Sequence, residues 1–592
     1  MLFLFNGVML NVTMSQDTLK VHPWTNIQLS ENDNTLRFAV ISDLTGGNRK
    51  GVFEKYLDYV NLLQPDFVIN VGDLVEGYTD LADEYNRQWA GIDSSLSKLD
   101  RRFYFVPGNH DLSNDVERNE WKRKFGQSYY HFVFKNTLFL IVNTEFSDKD
   151  RIGDEQIAYF KKAINDNKSV RHTFIIMHNP LWDSNNEFRF KEILSFLKGR
   201  KFTVFSGHRH HYYYSKKDGN EYYMFATTGA GNGFNGPEFG EFDHIVWVSM
   251  KTDKPGVLIL SDKGIYPKDI VNDETYPIVN ILRSDSYFSI KPIIHNSNSF
   301  IELNAILEIR NPAEIDLKLS GNFPPVNRLI FEPDNLSFSI SPKEKKEVII
   351  RVKAQNQGLI EQFEKDPVSL KLDASYNTHS RGVISLPFER KIFADYPHSC
   401  LRNNKKIKID GDLSDWTTPF YEVKLPVYID QGWDWSGSDD GWYKFSVSHD
   451  DKYLYIASET YDDKLLLETG RMRNSQDKLI IDITSGDLIN TNDLIHIETA
   501  PDAVGNGTLI KSNNKEQIKN VCRKTISGFT CECSIPLSLL KNKNEQPNKF
   551  VFNIAFMDQD RIENIDPSVL WWRPKLNPRS YIKGAGVFEL TN

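Results

Sequence analysis

The hydrophobic rhythm of the chain changes twice along its length. From Leu36 to about Val248, short apolar runs alternate with stretches of helical periodicity. The runs LRFAVIS (36–42), DFVIN (66–70), RFYFV (102–106), LFLIVN (138–143), HTFIIM (172–177) and FTVFS (202–206) read as buried strands. Between the first two, VFEKYLDYVNLL places Phe53, Tyr56, Leu57, Val60 and Leu63 on one helical stripe. Strands alternating with helices predict an α/β domain. Past Tyr276 the helical pattern nearly vanishes, and IELNAILEIRNP, DLKLSG, LSFSIS and KEVIIRVKA read as short alternating strands broken by Asn, Pro and Gly. That pattern predicts a β-sandwich. A third block, also strand-rich, begins near Cys400 with YKFSVSHDD, KYLYIASE, KLIIDI, GFTCECSI and KFVFNIAF. There is no repeat at solenoid or propeller periods and no low-complexity tract.

The expected organisation is therefore multidomain, with an α/β domain over 30–275 followed by two all-β sandwiches over 276–397 and 398–592. A length of 592 residues accommodates this, since about 150 residues make a domain. The 40% hydrophobic content supports packed cores rather than a disordered chain. The net charge of −9, with no long Lys/Arg block, argues against a dedicated nucleic-acid binder, whose affinity comes largely from neutralising phosphates.

Residues 1–20 begin with MLFLFNGVMLNVTMS, a short apolar core lacking a basic start. They read either as the later part of a signal peptide or as an apolar arm. Export to the periplasm, cell surface or medium is the expectation, with a cytoplasmic location the alternative. No apolar run reaches the roughly 18 residues of a transmembrane helix. The four cysteines, Cys400, Cys522, Cys531 and Cys533, contain no Cys-x-x-Cys pair, so a structural zinc site is not expected. Cys522 and Cys531 flank a turn around Ser527-Gly528, which allows a cross-strand disulfide. Buried free thiols are the equal alternative.

Five segments of the first block place metal-competent side chains directly after apolar strands. They are Asp43 in ISDLTGG, Asp73 in NVGDLVEG, Asn109, His110 and Asp111 in VPGNHD, His178 in IIMHNP, and His208 and His210 in FSGHRHH. Each residue alone has an ordinary structural role: Asp caps helices, Asn holds left-handed turns, and a lone His is usually satisfied structurally. All five segments at strand ends beside Gly or Pro point instead to one crevice at the carboxyl edge of a sheet.

This set resembles the calcineurin-like metallophosphoesterases, whose signature runs Asp-x-His, Gly-Asp-x-x-Asp/Glu, Gly-Asn-His-Asp/Glu, a lone His, and Gly-His-x-His. The resemblance covers roughly residues 36–250, and four of the five motifs are complete. It implies a four-layer α/β metallophosphoesterase sandwich. It also implies that Asp43, Asp73 and His210 hold one divalent ion while Asp73, Asn109, His178 and His208 hold a second. His110 would then protonate the leaving oxygen, with Asp111 orienting its imidazole. Two such ions would clamp a phosphate and activate water for an in-line displacement. Carboxylate, amide and imidazole donors without thiolate suit Mn, Fe or Zn without choosing among them. The departure is Thr45, where the family places a His, so the first ion is expected to bind more weakly. Arg49, in the same DLTGGNRKG segment, is a candidate contact for a substrate anion, with ordinary solvated charge the alternative. His131, His211, Asn143, Glu145 and the run Tyr212 to Tyr214 are weaker candidates, more simply read as structural.

In the last block, IDGDLSDW, YKFSVSHDDKYLYIASETYDD, DKLIIDI, FNIAFMDQD and WWRP resemble the family 9 carbohydrate-binding module and related sandwiches. That resemblance implies a sugar site in which flat aromatic faces stack on a pyranose. Trp433, Trp435, Trp442, Trp571 and Trp572 are the candidates, with core packing the alternative for each. Asp450, Asp451, Asp462 and Asp463 are candidates for a structural Ca²⁺. The middle block, with its RNP turn and SPKEKKEVIIRV strand, resembles immunoglobulin-like spacers. Together these imply a metal-dependent hydrolase of phosphomonoesters or phosphodiesters, exported, acting on a glycan-linked or nucleotide-sugar substrate in polysaccharide processing. One rival is a carbohydrate-binding protein whose phosphoesterase fold has lost turnover. Another is a nucleotide phosphodiesterase.

Overall fold

In the computed structural model the described residues are 34–145, 152–184, 188–326, 328–403, 405–430, 435–467, 476–485, 494–504, 507–540, 548–560, 567–574 and 586–591. The N-terminal apolar segment and Trp433 lie outside them. The chain divides into two compact units, residues 1–280 with 377–384, and residues 281–376 with 385–592. No helix among the described residues is long and apolar enough to cross a membrane.

The first unit is built on two six-stranded sheets. Its elements in order are β1 (Leu36–Ile41), α1 (Val52–Leu63), β2 (Phe67–Asn70), α2 (Ala82–Leu96), β3 (Phe103–Tyr104), α3 (Asp115–Phe125), β4 (Tyr130–Phe134), β5 (Thr137–Val142), α4 (Asp154–Asp166), β6 (His172–Met177), α5 (Phe188–Phe196), β7 (Phe202–Ser206), β8 (Tyr213–Lys217), β9 (Asn220–Met224), β10 (Ile245–Met250), β11 (Gly256–Ser261) and β12 (Gly264–Tyr266). One sheet runs β12-β11-β10-β1-β2-β3 and the other β4-β5-β6-β7-β9-β8. Each has a parallel centre, β1-β2-β3 in the first and β5-β6-β7 in the second.

Strand alternation explains the layering. Phe38 and Val40 of β1 point towards the second sheet, where Phe38 packs edge-on against Phe139 and Phe174 at 5.3 and 5.0 Å. Ala39 and Ile41 point the other way, into an apolar layer with Leu57 and Val60 of α1, Trp89 of α2 and Trp121 and Phe125 of α3. Helices α4 and α5 contribute Ile157, Phe160, Phe190 and Ile193 to the core that contains the second sheet. At roughly 1.5–3 kcal/mol per large apolar side chain, the double aromatic core is ample to fix both sheet edges. The stripe expected on α1 is buried through Val60, whereas Leu63 is 37% exposed, because Gln64 turns left-handed there and ends the helix.

Residues 288–391, all but 377–384 of them in the second unit, form two four-stranded antiparallel sheets. One is ordered Phe288–Ile290, Ser299–Arg310, Lys345–Leu359, Leu329–Glu332. The other is ordered Asn335–Ile340, Leu317–Asn322, Ser369–Thr378, Gly382–Lys391. Thirteen further strands between His398 and Thr591 form one hydrogen-bonded network around a core containing Tyr443, Phe445, Ile456, Leu479, Phe552 and Phe588. Cys522 and Cys531 are directly opposed on neighbouring strands and are disulfide-bonded, while Cys400 and Cys533 are buried free thiols.

Candidate metal centre

The carboxyl ends of the two parallel strand triplets meet at one place. β1 leads into Asp43, β2 into Asp73, and β3 into Asn109 and His110. From the other sheet, β6 leads into His178 and β7 into His208 and His210. His178 Nε2 is 3.0 Å from Asp73 Oδ2 and 2.9 Å from Asn109 Oδ1. His208 Nδ1 is 2.8 Å from the same amide oxygen and 3.2 Å from His178 Nε2. His210 Nε2 is 3.6 Å from Asp43 Oδ1. These contacts resolve into two donor groups that share Asp73, namely Asp73-His178-His208 beside Asn109, and Asp43-Asp73-His210. The six metal-ligand candidates are thus brought together.

The surrounding backbone fixes which atoms face inward. His178 Nδ1 bonds the Val71 carbonyl at 2.9 Å and His210 Nδ1 the Gly231 carbonyl at 2.7 Å, leaving each Nε2 for the centre. Glycine is required where the loops close. A Cβ at Gly108 would lie 2.1 Å from Asp73 Oδ1, and one at Gly207 2.3 Å from Asp43 Oδ2. Gly72 combines φ 108° with a Cβ position 2.4 Å from His178 Nδ1.

The electrostatics ask for positive charge. Burial alone would drive His178 down, but Asp73, hydrogen-bonded to it, and Asp43 push the imidazole up to about 10. Burial likewise opposes ionisation of Asp73, yet the charge of His178 brings it to about 2. Burial raises Asp43, with His178 and His210 acting against it. Oxygen and imidazole donors on a glycine-cleared pocket fit divalent transition-metal ions.

Residues 36–212 match the family model of the calcineurin-like phosphoesterases. Over that span the chain is similar to the calcineurin-like phosphoesterases. Over 191 residues it is 24% identical to the serine/threonine-protein phosphatase CPPED1 of Homo sapiens, an alignment covering 26% of this chain and 58% of that protein. Over 165 residues it is 26% identical to a probable cyclic nucleotide phosphodiesterase of Coxiella burnetii, covering 25% of this chain and 62% of that one. The chain thus spans about three fifths of the length of these curated relatives. Among solved structures, a family 9 carbohydrate-binding module from Caldicellulosiruptor kristjanssonii, in complex with cellotriose, aligns with 33% of this chain and 94% of its own. Its identity is 16% and its TM-score 0.26, a likeness too slight to extend to this chain's ligands.

Around this candidate metal centre several expectations need correction. Asp111 does not orient His110. Its Oδ2 accepts from the amides of Asp73 and Gly108 at 2.9 and 2.8 Å, and its Oδ1 from those of Leu74 and Val75 at 3.1 and 3.3 Å. Burial and then the Asp73 charge push this carboxyl up to about 7, with the amides pulling it back. His110 instead bonds the Glu76 carbonyl through Nδ1 at 2.8 Å, and its main-chain amide donates to Asp73 Oδ1 at 3.0 Å. Arg49 is committed to Asp243 at 2.5 Å and to the Ala230 carbonyl, with Phe234 beneath its guanidinium, so its charge is already neutralised and not offered to a substrate. Thr45 is buried in the loop after Asp43, and its hydroxyl has no hydrogen-bond partner among the described residues.

His131 bonds Tyr159 and His211 bonds Tyr276, both structurally. Tyr212 is fully buried, and Tyr213 stacks on Tyr276 at 3.9 Å. Trp571 and Trp572 are 2% and 6% exposed and fill the interior of the second unit, so neither offers a face to a sugar. Trp442 lies against Tyr461 at 4.2 Å with Lys424 above it. Of the acids expected to bind calcium, Asp450 holds a turn through the amides of Lys452 and Tyr453, and Asp451 pairs with Arg402. Asp462 and Asp463 belong to two separate acidic groups, Asp462-Asp477-Asp558 and Asp440-Asp463-Asp560. The residues that sequence reasoning missed are those supplying main-chain oxygens, Val71, Glu76 and Gly231, and one aromatic residue, Tyr78. Carbonyl direction leaves no trace in side-chain identity.

Proposed function

We propose that the chain is a metal-dependent hydrolase of phosphomonoesters or phosphodiesters. The observation carrying this reading is the convergence of Asp43, Asp73, Asn109, His178, His208 and His210 into two donor groups joined by Asp73. Asp43, Asp73 and His210 would hold one divalent ion, and Asp73, Asn109, His178 and His208 the other. When bound, such ions neutralise charge building on the phosphoryl oxygens and acidify the attacking water. The protein positions the remaining chemistry. His110 donates Nδ1–H to the Glu76 carbonyl, which leaves Nε2 as the atom that, in the doubly protonated ring, can pass its proton to the departing oxygen. Asp111 ties the Gly108 turn to residues 73–75 and keeps Asp73 and His110 in register. The test is hydrolysis of bis(p-nitrophenyl) phosphate and p-nitrophenyl phosphate with Mn²⁺ after chelation. Asp73→Asn and His110→Ala should each lose activity at least about 100-fold. A wild type as inert as both variants across a metal panel would leave the carbohydrate-binding rival standing.

Export belongs to the same proposal, supported by the bonded Cys522–Cys531 pair, which persists in oxidising compartments. A glycan-linked or nucleotide-sugar substrate belongs to the same proposal without a stacking face at Trp442, whose two sides Tyr461 and Lys424 cover, and glycan-array binding by the full chain is its test. A structural Ca²⁺ is proposed at Asp462, Asp477 and Asp558. All three are buried, and burial followed by repulsion from Asp462 pushes the Asp558 carboxyl up to about 8. A hard cation with oxygen ligands removes that repulsion.

A further inference from the structure

Tyr78 is an anomaly of position. It is 51% exposed, so it contributes little to the core, and it holds φ 52°, a left-handed backbone that costs a non-glycine residue of order 1 kcal/mol. The segment is nonetheless tied down on both sides, with the Gly77 amide bonding Gln88 Oε1 and the Thr79 amide bonding Glu117 Oε1, both at 2.9 Å. Gly77 itself admits no side chain, because a Cβ would fall 1.7 Å from the His110 carbonyl oxygen. The segment is thus pressed against the His110 main chain, and what it presents there is Tyr78. The phenol oxygen accepts from Asn109 Nδ2 at 3.0 Å, and the ring meets the His110 imidazole edge-on at 4.9 Å between centroids.

Asn109 has a weakness that Tyr78 addresses. Rotation about the last torsion of an asparagine is broad, and only one of its two terminal atoms can serve a cation. With Nδ2 held by Tyr78, the plane of the amide is fixed and Oδ1 is delivered to the point where His178 and His208 converge, 2.9 and 2.8 Å away. We infer that Tyr78 is a positioning residue, which sets the Asn109 amide and thereby the affinity of the metal position built from Asp73, Asn109, His178 and His208. The inference rests on the phosphoesterase reading of the site.

The experiment is a Mn²⁺ titration of the metal-free full chain by calorimetry, with electron paramagnetic resonance counting free ion. It is run on wild type, Tyr78→Phe, Asn109→Asp and the double variant. Outer partners of ligands are worth about 10- to 100-fold in affinity, so Tyr78→Phe should weaken the tighter of two Mn²⁺ equilibria about tenfold and leave the weaker one unchanged. A carboxylate has two equivalent oxygens and needs no such orientation, so Tyr78→Phe should cost less than about twofold in the Asn109→Asp background. An unchanged tighter equilibrium in Tyr78→Phe, or an equal loss in both backgrounds, overturns the role of Tyr78 while leaving the metal centre intact. A wild type that binds no Mn²⁺ overturns the metal-centre reading and this inference with it.

Discussion

Asp111→Asn separates two readings of the GNHD motif. In one, the carboxylate acts through the His110 imidazole. In the other, which the geometry supports, it is a clamp on main-chain amides. Each oxygen of Asp111 accepts from two amides, Oδ2 from Asp73 and Gly108 and Oδ1 from Leu74 and Val75. An asparagine in either flip turns one of those oxygens into an NH₂ group facing two N–H donors. At a pH well above 7, where Asp111 is ionised, two hydrogen bonds to a charged group are then lost at about 1.5–3 kcal/mol each, which gives about 3–6 kcal/mol. For a domain of this size, roughly 3 °C of melting temperature per kcal/mol makes this a fall of about 9–18 °C in the transition of the first unit. Calorimetry reads that transition, and hydrogen exchange should show lost protection in peptides spanning residues 70–80 and 104–112. His110→Ala is the comparator, expected to stay within about 0.5 kcal/mol of wild type. If Asp111→Asn melts like wild type while its pH–rate profile shifts as an altered His110 would shift it, the clamp is wrong and the imidazole partner is right.

Other outcomes follow from the same coordinates. Thr45→His should tighten the weaker Mn²⁺ equilibrium by at least about tenfold in calorimetry, because it adds an imidazole where a buried hydroxyl now has no partner among the described residues; an unchanged equilibrium would show that Thr45 does not face that ion. Arg573→Gln should cost about 3 kcal/mol in urea unfolding of the second unit, since it strips buried Asp395, and the more exposed Glu364, of their guanidinium, and adding Asp395→Asn should restore more than half. His496 is raised to about 9 by hydrogen bonds to Asp482 and Glu498. Its stabilisation should therefore be complete below about pH 6.5 and disappear as pH rises through 9, so the melting difference from His496→Gln should close over that window. Ca²⁺ should raise the melting temperature of the second unit in wild type and leave it unmoved in Asp558→Asn.

All six strands read from apolar runs in the first block are present, and four of the middle block's runs fall in strands, because buried strands carry their signal locally. The metal-competent residues were legible for a related reason. A ligand has to be a particular side chain, and its place at a strand end beside glycine is local too. Orientation is not local. Whether Asp111 faces an imidazole or, for three of its four partners, amides of residues 73–75, or whether Arg49 meets a substrate or Asp243, depends on residues 36 to 194 positions away. Trp571 and Trp572 misled as sugar-binding candidates because WWRP reads alike whether its rings point inward or outward, and the interior of the last block has room for both.

The order of the motifs also follows from the architecture. Asp43, Asp73 and Asn109 come from β1, β2 and β3 of one sheet, whereas His178, His208 and His210 come from β6 and β7 of the other. One sheet therefore supplies the oxygen donors and the other the imidazoles. Neither sheet alone can bind an ion well, and the donor groups exist only when the Phe38–Phe139–Phe174 core holds the two edges together. Cation binding should consequently report on sheet-to-sheet packing. A Phe38→Ala substitution, more than 10 Å of chain removed from any ligand in sequence terms of five residues at about 3.3 Å each, should weaken Mn²⁺ binding as well as cost about 3–5 kcal/mol in stability. If it lowers the melting temperature but leaves both Mn²⁺ equilibria untouched, the two edges are fixed by something other than that core.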